Sequence, residues 1–202
     1  MSKGRLEAFS DGVIAIIITI MVLELRPPAS GAPGALRELL PDFMAYVLSF
    51  VFLGIYWNNH HHMLHAATRV TGATLWANLH LLFWLSLIPF VTAWMGHHPN
   101  EPVPVAAYAA VQLMAAVAYV LLQQRLMAAH GPESDLARAV GHDVKGKISL
   151  TAYVAAMPLA FVLPAISYAL LVFVALLWLI PDRRIERQLQ HDTPRHEAHH
   201  AE

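Results

Sequence analysis

Six long apolar segments, separated by shorter polar stretches, dominate the chain. They cover approximately residues 5–25, 42–64, 73–95, 103–126, 147–164 and 166–181. At a rise of ~1.5 Å per residue, a helix of about 20 residues crosses the ~30 Å hydrocarbon core of a bilayer. The pattern therefore predicts an all-α integral membrane protein whose six transmembrane helices form one domain over residues 1–182.

Proline and glycine mark the connections between these segments. The stretch RPPASGAPGALRELLP predicts a loop with a short helical turn at residues 36–40, and HHPNEPVP separates the third segment from the fourth. Pro164 leaves almost no connection between the last two segments, which predicts a tight helical hairpin. Residues 183–202 are polar and rich in histidine, which predicts a disordered cytoplasmic tail.

Composition agrees with a membrane protein and excludes several function classes. Of the 202 residues, 57% are hydrophobic and only 13% are charged, a balance unusual for a soluble domain. The formal net charge of −1 gives no indication of nucleic-acid binding, and the absence of cysteine excludes disulfides, thiolate metal ligands and cysteine nucleophiles. Asp11 interrupts the first apolar run and no cleavage site follows it, so this run is predicted to remain as a helix rather than a cleaved signal peptide.

The basic residues predict the orientation in the membrane. With six spans, every Lys and Arg except Arg26 and Arg37 falls on the same side. Basic residues are enriched in cytoplasmic loops. We therefore expect a multi-pass protein of the cell membrane with both termini in the cytoplasm.

The first segment begins with polar residues and continues with an apolar run. Ile16, Ile20 and Leu23 follow an i, i+4, i+7 spacing and form a narrow stripe along the predicted helix. Thr19 lies at the edge of this stripe, and Asp11 lies on nearly the opposite side. A charge in a spanning helix costs at least ~2.5–3.5 kcal/mol, so Asp11 is expected to face other helices rather than lipid. For the stripe itself, this pattern alone favours packing against another helix.

Histidines gather at the end of the second segment and permit two further hypotheses. His61 and His65 have the i, i+4 spacing of a helical metal site, but the chain offers only one good pair of this kind, so no metal site is predicted. An enzyme built on these histidines stays possible. A proton relay through Asp11, His60, His61 and His80 is the other hypothesis. A scaffold without transport activity, which does not depend on the histidines, is a separate alternative.

A buried polar network is predicted among the first three helices. Asn78 lies at the same depth as Ser10 and Asp11, and a polar side chain surrounded by lipid or apolar helices needs a partner. Trp76 suits the membrane interface, and Pro89 predicts a kink in the third helix. Because the fourth to sixth segments contain few polar groups, we expect them to form a lipid-facing scaffold.

Three motifs occupy the first half of the chain. The first is RxxxFSDGV at residues 5–13, followed by Ala15, Ile16 and Thr19. The others are WxxHH at 57–61 and WxNL at 76–79, with Pro89 and Phe90 after them. These motifs resemble those of the lysosomal potassium channel family (transmembrane protein 175). The length of the chain and its six spans resemble the prokaryotic members of that family.

The resemblance implies an ion channel rather than an enzyme. It implies a homotetramer in which four copies of helix one surround a central pore, without a cofactor and without nucleic acid. The implied partners are other copies of the chain, membrane lipid and permeating potassium ions. The implied pore-lining residues are Ile16, Thr19, Ile20 and Leu23. The implied structural network, which fixes helix one, comprises Arg5, Phe9, Ser10, Asp11, Trp57, His60, His61, Trp76 and Asn78.

A physical argument connects an apolar pore with potassium selectivity. A narrow apolar constriction makes a passing ion lose part of its hydration shell. Potassium holds its water less tightly than sodium, so this cost is smaller for potassium. The leading hypothesis is therefore a weakly discriminating, potassium-selective cation channel with a hydrophobic constriction in helix one. The alternative is a proton-coupled transporter or proton leak that uses Asp11 and the histidines of helices two and three.

Overall fold

The computed structural model describes residues 2–28, 30–32, 34–131 and 143–179. These residues form α-helices and connecting turns, without β-strands. The helices, in chain order, are α1 (Lys3–Leu23), α2 (Ala35–Glu38), α3 (Leu40–Ala66), α4 (Gly72–Ser86), α5 (Ile88–His97), α6 (Pro102–His130), α7 (Val144–Leu159) and α8 (Pro164–Leu179).

Within the described ranges, four stretches are long and apolar enough to cross a membrane, which confirms the predicted all-helical, membrane-type fold. They are α1, α3, α6 and the combined length of α4 and α5 (Gly72–His97). α7 is shorter, with 16 residues, and α8 is described as far as Leu179. The predicted tail at 183–202 and the end of the sixth predicted segment, residues 180–181, lie outside the described residues, as does the basic residue Arg138 of the preceding loop.

The third predicted segment is divided into two helices at Leu87. Pro89 has no N–H with which to continue the regular hydrogen bonds toward Leu85. The N–H of Leu87 instead turns back to the carbonyl of Trp84 at 3.2 Å. Near the kink that the sequence predicts at Pro89, the structure therefore has a one-residue interruption of the helical hydrogen bonds at Leu87, where the backbone keeps helical dihedral angles.

The fifth helix is shorter than the sequence pattern predicts. α7 ends at Leu159 rather than at residue 164. A turn follows, in which the N–H of Leu163 bonds to the carbonyl of Leu159 at 2.9 Å. Proline disfavours helical backbone in the residue before it, so Pro164 ends this turn and begins α8.

The helices pack so that α1 lies at one edge of the bundle. α1 contacts α3, α4 and α5, whereas α6 contacts α4, α5, α7 and α8. α6 provides much of the core, with Tyr108, Leu122 and Leu126 fully buried. Because the described helices cover α1 on one side, its other side is left exposed and available to contacts outside the subunit.

Candidate pore-lining helix and its polar anchor

One face of α1 carries large apolar side chains that the rest of the subunit leaves uncovered. Ile16, Ile20 and Leu23 are 58%, 45% and 79% exposed. Thr19 is exposed beside them, and its hydroxyl donates to the carbonyl of Ile16 at 2.8 Å. This bond satisfies the hydroxyl proton and leaves the lone pairs of the Thr19 oxygen available to a ligand.

A second face of the same helix, centred roughly 115° around the axis from the exposed stripe, is buried against the bundle. Its buried residues are Leu6, Ser10, Ile14, Ile17 and Met21. The spacing of these residues is that of one helix face, turned away from the exposed stripe. In its C-terminal half, α1 carries apolar residues on both faces, so sequence periodicity alone does not distinguish the covered face from the exposed one.

An open groove runs along α1 beside α5. Val13, Ile16 and Ile20 line one wall of this groove, and Phe90 and Trp94 are among the residues of the other. Glu24 and His97 lie at the end of the groove that is next to the C-terminus of α1. The groove is therefore apolar along most of its length, which suits an apolar helix surface as its occupant.

Asn78 joins the N-terminal half of α1 to α3 and α4. Its side-chain nitrogen donates to the hydroxyl of Ser10 at 2.9 Å, and its side-chain oxygen accepts from Nε2 of His60 at 2.7 Å. Ser10 in turn donates to the carbonyl of Leu6 at 2.9 Å. Ser10, His60 and Asn78 are all buried. We call these three residues the Asn78 cluster. Because the amide oxygen of Asn78 can only accept a hydrogen bond, Nε2 of His60 must carry the proton.

A second contact at the same end involves Asp11. The indole N–H of Trp57 donates to Oδ1 of Asp11 at 3.0 Å. The ring of Trp57 stacks on His61, with centroids 6.0 Å apart. Nearer the terminus, Lys3 donates to the carbonyl of His65 at 2.9 Å. Two helices are thus connected to α1 by polar side chains within its first three turns.

Four residues of the predicted network do not take part in these hydrogen bonds. Phe9 and Trp76 are 48% and 76% exposed, and His61 is exposed and contacts Trp57 only by ring stacking. Arg5 is also exposed. Within the described ranges, Arg5 has neither a hydrogen bond nor an ion pair.

The residues of the hypothetical proton relay are not connected to one another. Asp11 bonds to Trp57, and His60 bonds to Asn78. His80 accepts from the indole of Trp84 at 2.9 Å within α4. In the part of the chain that the structure describes, no group of three or more His, Cys, Asp or Glu side chains is arranged to hold a metal ion.

A second buried polar group, which the sequence does not indicate, joins α3, α5 and α6. The Ser49 hydroxyl lies 2.7 Å from that of Thr92 and 2.9 Å from that of Tyr108. Gln112 donates to the Tyr108 hydroxyl at 3.1 Å, and Thr92 donates to the carbonyl of Ile88 at 2.7 Å. Ser49, Thr92, Tyr108 and Gln112 form what we call the Tyr108 cluster. The signal for it is weak, because each hydroxyl stands alone in an apolar segment.

Comparison with known proteins gives consistent results. A family model described as endosomal/lysosomal potassium channel TMEM175 matches residues 5–89, which include the Asn78 cluster. A potassium channel from Chryseobacterium sp. (strain P1-3) is 49% identical over 190 residues, which cover 94% of this chain and 99% of that protein. An endosomal/lysosomal proton channel TMEM175 from Danio rerio is 39% identical over 87 residues, which cover 36% of this chain and 17% of that protein.

A solved structure is also similar along most of the chain. It is the crystal structure of a lysosomal potassium-selective channel TMEM175 homolog from Chamaesiphon minutus, with a TM-score of 0.77 and 27% sequence identity. The match covers 88% of this chain and 96% of that one. These findings confirm the resemblance based on the three motifs, and they identify a family of ion channels rather than enzymes. The chain belongs to the TMEM175 potassium channel family.

Proposed function

We propose that the protein is a potassium-selective cation channel of the cell membrane, formed by four copies of the chain around a central pore. In this proposal each subunit crosses the membrane six times, with both termini in the cytoplasm. Four α1 helices line the pore with rings of Ile16, Thr19, Ile20 and Leu23. The observation that carries the proposal is the exposed stripe of α1, on a helix whose other face is fixed to the bundle.

The stripe requires a partner outside the subunit if it is to line a pore. A single subunit has a core filled by apolar side chains such as Leu53, Leu85 and Met95, each fully buried, so an ion has no path through it. A pore between copies avoids this obstacle. The α5 wall of the groove, which includes Phe90 and Trp94, offers an apolar surface that a neighbouring copy can cover. Exposed Gly12 on α1 is a small residue of the kind that allows membrane helices to approach closely.

Dehydration explains how such a pore would select potassium. The aliphatic rings offer no oxygen ligands, so an ion crosses them only after it loses part of its water. The loss is smaller for potassium than for sodium. The Thr19 oxygen, whose proton is already donated to Ile16, is placed one turn beyond the Ile16 ring and returns a ligand to the ion. Discrimination by this route is modest.

Proton permeation is the second candidate function. It is favoured by the Danio rerio relative, which is named as a proton channel and of which the match covers 17%. A relay through Asp11, His60 and His80 has little support, because these residues bond to Trp57, Asn78 and Trp84 instead. A proton path along water in the central pore agrees better with the contacts of these side chains.

Ion flux into liposomes tests the proposal. The purified protein should carry potassium down a gradient, and Ile16→Asn should raise the sodium-to-potassium permeability ratio about fivefold, equivalent to ~1 kcal/mol of dehydration cost. Ile16→Leu is the matched control, because it keeps the ring aliphatic and should keep the ratio. An unchanged ratio in Ile16→Asn would refute the pore assignment. Flux that requires an imposed proton gradient would favour the proton-coupled alternative.

A further inference from the structure

Arg5 lies on the same line of α1 as the proposed pore rings. At 100° per residue, Arg5 falls within about 20° of Ile16 around the helix axis, and its position along the axis is ~16 Å closer to the N-terminus. Leu23 falls on this line as well. All three side chains are exposed. A helix that turns Ile16 and Leu23 toward a central axis therefore turns Arg5 toward the inner mouth.

Among the residues that the structure describes, the two acidic side chains nearest to Arg5 along α1 are occupied elsewhere. Glu7 pairs with Lys3 at 3.8 Å, and it lies about 180° from Ile16 around the helix. Asp11 is held by the indole of Trp57 at 3.0 Å. Both carboxylates therefore lie farther from the proposed axis than Arg5, by up to a helix diameter of ~10 Å, which is similar to the Debye length at physiological salt.

The backbone of α1 adds charge of the same sign at this end. The N-terminus of a helix is equivalent to roughly +0.5 elementary charge and the C-terminus to roughly −0.5. α1 begins at Lys3, beside Arg5, and ends at Leu23. Four parallel copies would make the inner mouth positive and the outer mouth negative, so the helix ends reinforce the effect of the arginine side chains.

We propose that Arg5 forms a ring of positive charge at the inner mouth and makes the channel conduct potassium inward more readily than outward. The inference rests on the proposed function, since it requires a pore between α1 helices. Four guanidinium groups ~8 Å from the axis reduce the potassium concentration at that mouth about threefold at 0.15 M ionic strength. Outward current draws its ions from this depleted mouth, whereas inward current draws them from the opposite one.

The absence of cysteine from the whole sequence permits a direct test. Currents of the full-length channel and of Arg5→Cys are recorded in inside-out patches with equal potassium on both sides. Arg5→Cys should raise outward current about threefold at 0.15 M salt. A trimethylammonium-bearing thiosulfonate applied to the inner face should restore the wild-type asymmetry, and a sulfonate-bearing reagent should increase outward current further. At 1 M salt, where the Debye length is ~3 Å, the differences should largely disappear.

Arg69→Cys is the matched control, because Arg69 is an exposed arginine in the connection between α3 and α4 rather than on α1. Its modification should leave the current ratio unchanged. Equal effects of both reagents on Arg5→Cys, or no reaction with either, would overturn the inference. If Arg5→Cys does not assemble, the wild-type currents test the inference. A larger inward than outward current that becomes equal at high salt supports the ring of Arg5 side chains. Equal inward and outward currents at 0.15 M salt refute the ring. No potassium current in the wild type would refute the proposed function itself.

Discussion

The two buried polar clusters of this protein have similar chemistry but connect different helices. The Asn78 cluster joins α1 to α3 and α4, whereas the Tyr108 cluster joins α3, α5 and α6 and includes no residue of α1. Their members are at most 4% exposed. Among the described residues, α1 has no side-chain hydrogen bond to another helix beyond Asp11, and its outer half is held by apolar contacts such as those of Ile14 and Met21.

This difference indicates how the position of α1 is specified. Hydrogen bonds between membrane helices contribute on average ~0.6 kcal/mol and at most ~1.7 kcal/mol, and they are directional. Apolar contacts are not directional and tolerate small rotations. The hydrogen bonds therefore fix the position and rotation of the N-terminal part of α1 relative to α3 and α4. The C-terminal half, which carries the exposed aliphatic stripe, tolerates small rotations. The Tyr108 cluster stabilises the supporting helices without constraining α1.

Replacing Asn78 should have the largest effect. Asn78→Ala leaves the Ser10 hydroxyl and the His60 ring buried without their partner, and it should lower the free energy of unfolding by about 2–3 kcal/mol. Potassium flux per folded protein should also fall, because α1 loses its register. Thermal unfolding in detergent and liposome flux measure the two effects. Asn59→Ala is the control, because the Asn59 side chain has no hydrogen bond among the described residues. Equal losses in both variants would contradict the anchoring role.

Replacing Tyr108 should separate stability from function. Tyr108→Phe removes the hydroxyl that contacts Ser49 and Gln112, and should lower the free energy of unfolding by about 1–2 kcal/mol. The potassium-to-sodium flux ratio should stay at the wild-type value, because no member of this cluster lies on α1. Tyr168→Phe is the comparison variant, since the Tyr168 hydroxyl has no hydrogen bond within the described ranges. A changed flux ratio in Tyr108→Phe would mean that the two clusters are coupled.

The smallest effect is expected at Gln112. Its side-chain oxygen is buried and has no hydrogen-bond partner among the described residues, so the gain from its one bond to Tyr108 is offset by the cost of the unsatisfied acceptor. Gln112→Leu should change the free energy of unfolding by less than ~0.5 kcal/mol, or increase it slightly. Urea or thermal unfolding checks this directly. A loss above ~1.5 kcal/mol would indicate that the amide oxygen binds a buried water in the protein.

The sequence predicts the helices and the Asn78 cluster better than it predicts the Tyr108 cluster, for a physical reason. Ser10 and Asp11 are polar residues at the start of an apolar run, and Asn78 lies at a matching depth, so their need for partners is visible locally. Ser49, Thr92 and Tyr108 are separated by 43 and 59 residues. Hydroxyl groups occur in many apolar helices and can bond to their own backbone, as Thr92 also does. Only the packing of three helices reveals that these groups meet.

Helix boundaries depend on the same balance between local and tertiary signals. The break between α4 and α5 follows from a proline, so the sequence indicates it to within two residues. Beyond Ser10, the covered face of α1 does not follow from the local sequence, because Ile16 and Ile17 are equally apolar and yet 58% and 4% exposed. Which isoleucine is buried depends on where α3, α4 and α5 lie. Periodicity identified the stripe, but only the fold distinguishes it from the buried face.

The short helix α7 has a consequence for the surrounding lipid. α7 has 16 residues, which corresponds to ~24 Å, whereas the hydrocarbon core of an average bilayer is ~30 Å thick. Its exposed surface, with side chains such as Ile148 and Val154, is therefore too short to span that thickness. A bilayer next to this edge must become thinner, at a cost of a fraction of a kcal/mol per Å of mismatch. The protein should accordingly gather lipids with shorter acyl chains along this edge and prefer the thinner regions of its membrane.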